Sequence, residues 1–472
     1  MRSRFWLTAF VIAAGLLGAS PRAGSQASDA SASPTVALLS ELIRRDTSNP
    51  PGREGLVAEL LAPRFKALGF EVDIIATPAP GKAHFIARLR GNGSKRPVLL
   101  AAHADVVGVE REKWTLDPFA GTVRDGYVFG RGALDFKGGL AVFAQAVLRL
   151  AERKVPLSRD VIFVAEADEE GGRYNTTWLA ASHWPKIDAE FALNEGGWII
   201  KGADGRVRYV SISTADKSSV PVIVTARGTS THSSMPRPDS AIFALSRAMA
   251  RLSAHETDVQ LLPLTRRFFE TLAKTSPPPL STQFRNLLGV DPGLVRAADR
   301  AISADPLLHA LLRNTLAPVL LNAGFRTNVI PGSAEATINL RLLPGVDPHD
   351  VVRELQRVIA DPQVEVRLSN PAAGAAKTPP SSEDTDLYRA LEREARVEFP
   401  GAEVTPYLFQ AGTDAGAWRS RGVPVYGIYP YPIDADDLTR MHGNDERVSV
   451  ESLRQGTEMI YRALVSVAGR QQ

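Results

Sequence analysis

"DVIFVAEADEEGG", residues 160–172, joins an apolar run suited to a buried strand to three consecutive carboxylates, Asp168, Glu169 and Glu170. Like charges that close repel one another, and burying them unpaired costs several kcal/mol each. The stretch therefore predicts a strand whose carboxyl end meets something positive.

The neighbouring sequence repeats the pattern. "PVLLAAHADVV" (97–107) and "AEFALNEGG" (189–197) are further apolar runs that stop at polar residues, with a helix expected over Gly138–Arg153. Upstream lie a helical "TVALLSELIRRD" (35–46), a Pro-Gly break at "NPPGR" (49–53), a helix over Glu54–Leu68 and the strand-like runs "EVDIIATP" (71–78) and "AHFIARLRG" (83–91). Strands alternating with helices predict a three-layer α/β sandwich whose sites lie beyond the strands' carboxyl ends.

Near Lys217 the texture changes. "SVPVIVTARG" (219–228), a helix over Ala241–Ala254, "AEATINLRLLPG" (334–345), "DPHDVVRELQRVIA" (347–360) and "QVEVRLSNP" (363–371) mark three strands and both helices of a β-α-β-β-α-β series. This predicts an inserted α+β, ferredoxin-like unit over 217–372, interrupting a main domain split into 35–216 and 373–472. Between Thr257 and Leu320 lies a mostly helical excursion, read as an elaboration of the insert. The main texture resumes with "YRALEREARVEF" (388–399), "VPVYGIYP" (423–430) and a last helix over Val450–Val467. An insert is tolerated where its ends lie close together.

Composition narrows the class. A chain of 472 residues with 44% apolar and 23% charged residues is globular and long enough for two cores. Arg2 and Arg4, an apolar stretch from Phe5 to Leu17 and small residues ending at Ser25-Gln26-Ala27 read as a signal peptide over 1–27, too short to span a bilayer. The expectation is a secreted or periplasmic protein with no stable membrane anchor after cleavage. The chain has no cysteine, which excludes disulfides, thiolate zinc sites and a cysteine nucleophile. Its net charge is +3, and Arg2, Arg4 and Arg22 of the leader account for it, so nothing points to nucleic acid.

Any metal must then be held by His, Asp and Glu. His103 and Asp105, at i and i+2 of a strand end, leave on one face. "FGRGALDFKGG" (129–139) places Asp135 in a glycine-rich loop before a helix, "LNEGG" places Glu195 at a strand end, and "TRMHGNDERV" (439–448) adds His442. With the adjacent pair Glu169 and Glu170, such a set suits two zinc ions, Asp135 being shared. Adjacent residues do not easily point at one atom, so one of Glu169 and Glu170 ligates while the other faces the activated water as general base. Asp445, Glu446 and Arg447 are read as an ordinary loop-stabilising ion pair, and the remaining five histidines as structural or surface residues.

With "HADVV", "DGYVFGRGALDFKGG", "ADEEGG" and "MHGNDERV" in place, the chain resembles the dizinc metallopeptidases that include aminoacylase, the glutamate carboxypeptidase, succinyl-diaminopimelate desuccinylase and carboxypeptidase S. The carboxypeptidase S branch, with its secreted relatives acting on N-fatty-acyl amino acids, is the most similar. The resemblance covers almost all of the mature chain. It implies one zinc on His103 and Glu195, the other on Glu170 and His442, with Asp135 bridging, and with Co2+ or Mn2+ as substitutes. Glu169 becomes the general base, Asp105 the residue that orients His103, and the bond after Asp135 is expected to be cis.

From "ARGTSTHSSMP" the resemblance implies His232 as an oxyanion donor carried by the inserted unit, acting as a lid. It further implies Asn328 and Arg341 as substrate-binding residues, Arg341 clamping a substrate carboxylate, with Gly412 and Thr413 of "AGTDAG" offering backbone N–H groups to that carboxylate. Relatives commonly have Asp where Asn339 stands. Pairing of two chains through the lid is also implied, as is a small peptide or N-acyl amino acid substrate. A catalytically silent binding protein would be expected to lack some ligands, and here none is missing.

Overall fold

The computed structural model describes residues 33–373 and 378–470, so the expected signal peptide lies outside the described residues. The chain first supplies β1 (Glu71–Ala76), β2 (Ala83–Leu89), β3 (Val98–His103), β4 (Thr122–Arg124), β5 (Tyr127–Phe129), β6 (Val161–Glu166), β7 (Phe191–Asn194), β8 (Ile199–Lys201) and β9 (Val207–Asp216). It then builds β10 (Ser218–Arg227), β11 (Thr231–His232), β12 (Thr315–Ala323), β13 (Val329–Ile330), β14 (Ser333–Leu342) and β15 (Val364–Leu368). It returns with β16 (Glu403–Phe409), β17 (Val425–Gly427), β18 (Pro432–Ile433) and β19 (Arg447–Ser449).

The large sheet has ten strands in the order β1-β2-β6-β3-β7-β17-β9-β8-β18, with β16 also paired to β9. Its central strands read as unbroken apolar runs because both faces are covered. Leu100 and Ala102 of β3 and Phe163 and Ala165 of β6 face a core shared with the helices Lys137–Glu152 and Val450–Ala468. The alternate residues Leu99, Ala101, Ile162 and Val164 face a second core with Leu179 and Trp418. That parity is the two-residue period of a strand, and it makes three layers. β3 and β6 run parallel, with His103 beside Glu166, so their site-bearing ends open on the same edge.

The second sheet has the order β12-β14-β10-β15 with every pair antiparallel. The helices Ala241–Ser253 and Pro348–Ile359 cover one of its faces, and its core is separate, built on Val222, Val224, Ile338, Leu340 and Leu355. In chain order the unit runs β10, helix Ala241–Ser253, β12, β14, helix Pro348–Ile359 and β15, with the helical excursion set between the first helix and β12.

The helical excursion corrects an expectation. Helix Pro263–Thr275 packs on the large sheet, with Phe268 edge-on to Tyr407 of β16 at 4.9 Å and to Tyr209 of β9 at 5.8 Å. The apolar face of the small sheet is already filled by its own two helices, whereas β9 and β16 offer uncovered aromatic surface. Only β12, at the end of the excursion, joins the small sheet. Among the described residues no helix is long and apolar enough to cross a membrane.

Candidate active site

His103 ends β3 with its side chain buried. Its Nδ1–H donates to the backbone carbonyl of Asp105 at 3.0 Å, which leaves the Nε2 lone pair facing inward. There Nε2 meets Asp135 Oδ1 at 3.0 Å and Glu195 Oε2 at 3.6 Å. The other oxygen of Asp135, Oδ2, lies 3.1 Å from His442 Nε2, which is 3.0 Å from Glu170 Oε1. The five residues expected as ligands are thus brought together, with one oxygen of Asp135 turned to each histidine. The Asp135-Phe136 peptide bond is cis, as the resemblance implies.

The donor set fits divalent cations on its own chemistry. Ligand atoms of His103, Glu169 and Glu195, and again of His103, Asp135 and Glu170, lie within 4.8 Å of one another. Burial, then the charge of Asp135, pushes the Glu195 carboxyl up to about 7. Glu169 is raised well above the carboxylate range by burial and then by Glu195. An imidazole lone pair aimed at crowded carboxylates is repulsive unless a cation sits between them. Hard oxygen and imidazole donors without sulfur suit zinc and its divalent neighbours.

Asp105 meets His103 chiefly through its backbone. Its carbonyl, rather than its carboxylate, receives the His103 hydrogen bond, the carboxylate standing 3.6 Å away. The carboxylate instead accepts the backbone N–H groups of Glu169 at 3.2 Å and Glu170 at 3.0 Å, and Asn49 Nδ2 at 2.8 Å. Asp105 therefore shapes the turn that aims both glutamates.

The third acid of that turn, Asp168, points elsewhere. It pairs with buried Lys82 and accepts from Asn49 Nδ2 at 2.8 Å and from Tyr174 N–H at 2.6 Å. Its φ of 65° is the left-handed conformation that closes the turn. A Cβ on Gly171 would stand 2.2 Å from Asp168 Oδ1 and 2.6 Å from Asn49 Nδ2, so a side chain there would push both out of their hydrogen bonds. The positive charge expected at the strand end is Lys82 for Asp168, while Glu169 and Glu170 turn to the candidate metal site.

Glu446 pairs outside its own loop. It is fully buried, pairs with Arg131 at 2.6 Å, and accepts the N–H groups of Leu134 at 2.7 Å and Asp135 at 3.0 Å. Asp445 holds Thr115 and Arg447 holds Asp437, so none of the three pairs within its own loop. Tyr429 is a further residue that sequence reasoning missed, its hydroxyl meeting Glu195 Oε2 at 2.9 Å.

Residues expected to bind substrate fall into two groups. Arg341 on β14 is half-buried, beside Gly412, where an added Cβ would stand 3.9 Å from Nη1. Burial lowers the Arg341 pKa while the nearby charge of Glu169 raises it, which puts the guanidinium within electrostatic reach of the acidic centre. Asn339 does not support it, being bonded to Ser219. The Thr413 hydroxyl donates to Asp216 at 2.7 Å, so that side chain is committed to the loop. His232 and Asn328 form the other group. They flank the β11–β13 ribbon, where Asn328 O accepts from Ser233 N–H at 3.0 Å, and the hydrogen bonds of exposed His232 go to Ser234 rather than to the centre.

Imidazoles and carboxylates clustered at the strand ends of a three-layer α/β sandwich define a metal-dependent hydrolase. The model of peptidase family M20/M25/M40 matches residues 99–466, and the chain belongs to that family. A probable carboxypeptidase S-like 2 of Dictyostelium discoideum is 32% identical over 381 residues, 79% of this chain and 72% of that protein. An N-fatty-acyl-amino acid synthase/hydrolase of Mus musculus is 29% identical over 388 residues, 80% of this chain and 76% of that one. Among solved structures, an M20 family metallo-carboxypeptidase from Sulfolobus solfataricus shares the fold with a TM-score of 0.68 and 17% identity, over 92% of this chain and 99% of that one.

Proposed function

We propose that the chain is an exported dizinc hydrolase that cleaves an amide next to a free carboxylate, acting as a carboxypeptidase S-like peptidase. The observation that carries this reading is the Asp135 carboxylate, with Oδ1 on His103 and Oδ2 on His442. His103 and Glu195 would hold one ion, Glu170 and His442 the other. Bound divalent ions supply Lewis acidity for the scissile carbonyl and a nucleophile from water at neutral pH.

The chain's own residues do the rest. Glu169, raised in pKa and beside the cage, takes a proton from the attacking water and passes it to the leaving amine. Arg341 receives the substrate's carboxylate as a bidentate pair, with the Gly412 and Thr413 backbone alongside. His232 would donate to the oxyanion once the inserted unit closes, and its exposed place on a ribbon is compatible with delivery by motion.

The second reading is an N-acyl amino acid amidohydrolase, favoured by the similarity to the mouse enzyme named above. Both substrates present an amide and a carboxylate to the same cage. Comparing kcat/KM on panels of dipeptides and of N-acyl amino acids decides between them. A preference for dipeptides supports the first reading, a preference for acyl substrates the second, and inertness on both overturns the pair.

Export is proposed from Arg2, Arg4 and the apolar run that follows, and N-terminal sequencing of the mature protein tests it. Pairing of two chains through the small sheet is supported by the exposed edge strand β12, with Val319, Leu320 and Leu321 open to solvent. Sedimentation of the purified protein tests that.

A further inference from the structure

Tyr429 lies two residues beyond β17, deep beneath the cage. Its ring stacks on Trp198 with centroids 4.4 Å apart and planes 8° apart, and meets Phe136 edge-on at 5.1 Å. These contacts leave the phenol one place to point. The hydroxyl reaches Glu195 Oε2 at 2.9 Å and stands 3.3 Å from Asp135 Oδ1.

Both oxygens belong to the same half of the cage, since each is the atom of its carboxylate that faces His103 Nε2. Among the described residues Tyr429 makes no hydrogen bond to Glu170 or His442, which form the other half. A phenol has one proton to give, and the shorter contact makes Glu195 its acceptor. Such a bond fixes the carboxylate's orientation and draws charge from the oxygen that a cation would share.

We propose that Tyr429 is a positioning residue that tunes the metal position of His103 and Glu195 and leaves the position of Glu170 and His442 unaffected. The inference rests on the dimetal reading of the cage. The Trp198 stack sets the angle of the ring, so Trp198 acts through Tyr429.

The test uses the full-length protein stripped of metal, titrated with zinc against a chromophoric chelator, and in parallel with Co2+ while its visible absorption is recorded. Tyr429→Phe keeps the ring and removes only the hydroxyl. One zinc step should weaken about 10- to 100-fold, the size expected when a ligand's outer hydrogen-bond partner is lost, with the other step unchanged. The Co2+ absorption of the weakened step should change shape. Trp198→Phe, which loosens the stack but keeps the hydroxyl, should weaken the same step by a smaller factor.

Unchanged zinc steps and Co2+ absorption in Tyr429→Phe would overturn the inference alone. So would equal weakening of both steps with a lowered melting temperature of the metal-free protein, which a merely structural role predicts. A wild-type titration with fewer than two steps would bring down the dimetal reading, and the inference with it.

Discussion

Glu446 Oε1 accepts the backbone N–H of Asp135 at 3.0 Å, so a carboxylate from the His442 loop fixes the height of the residue between the two histidines. Its other oxygen pairs with Arg131, whose guanidinium also donates to the Gly443 carbonyl at 2.9 Å. One buried ion pair thereby ties together the loops that carry Asp135 and His442. Glu446→Gln keeps an acceptor for the N–H groups but leaves Arg131 buried without its counter-charge. The expected loss is about 3 kcal/mol in urea unfolding of the metal-free protein. A midpoint equal to wild type would contradict it.

Glu169→Gln should lower kcat about 100- to 10,000-fold, the range typical of losing a positioned proton carrier. Metal content should stay at the wild-type level, because the variant keeps the five expected ligands His103, Asp135, Glu170, Glu195 and His442 in contact. Loss of an ion from the variant, seen by elemental analysis, would make Glu169 a ligand instead.

Arg341→Met should raise KM about 10- to 100-fold for substrates with a free carboxylate, since hydrogen bonds to charged groups contribute roughly 1.5–3 kcal/mol. The amidated form of the same substrate should show almost no change between wild type and variant. An equal effect on both forms would remove Arg341 from the carboxylate subsite.

Much of this was legible because apolar runs ended at chemically distinctive residues. His103 and Glu195 stand where buried strands stop, and the alternation of strands with helices sufficed to predict the sandwich. Lys82 was illegible, since a lysine in "GKAHF" looks like a solvated turn until Asp168 folds against it. Glu446 reads as pairing within its own loop because its partner Arg131 lies 315 positions upstream. Tyr429 was hidden by its setting, since an aromatic within an apolar run carries no sign of what its hydroxyl meets. The excursion's docking face was equally out of reach, because an amphipathic helix does not say which sheet it covers.

His84 gives a pH dependence of stability that rests on its own burial. It is fully buried, accepts the Ala167 N–H at Nδ1 at 3.1 Å and donates from Nε2 to the Tyr174 carbonyl at 2.9 Å, an arrangement that uses the neutral ring. Burial pushes its pKa down to about 4 from 6.5. The folded protein therefore binds this proton less readily than the unfolded chain. The contribution to stability is whole above pH 6.5 and is lost as pH falls from 6.5 towards 4, by on the order of 3 kcal/mol. Denaturation of wild type and His84→Gln across that range isolates the contribution, and the difference between them should shrink on acidification. A constant difference would contradict it.

The shared place of Asp135 between two cations is tested by zinc titration of metal-stripped wild type beside Asp135→Ala. Wild type should take up two ions per chain, and Asp135→Ala should lose both steps or bind each at least about 10-fold more weakly, as expected for removal of a shared ligand. Two undiminished steps in the variant, or no zinc on the wild type, would contradict it.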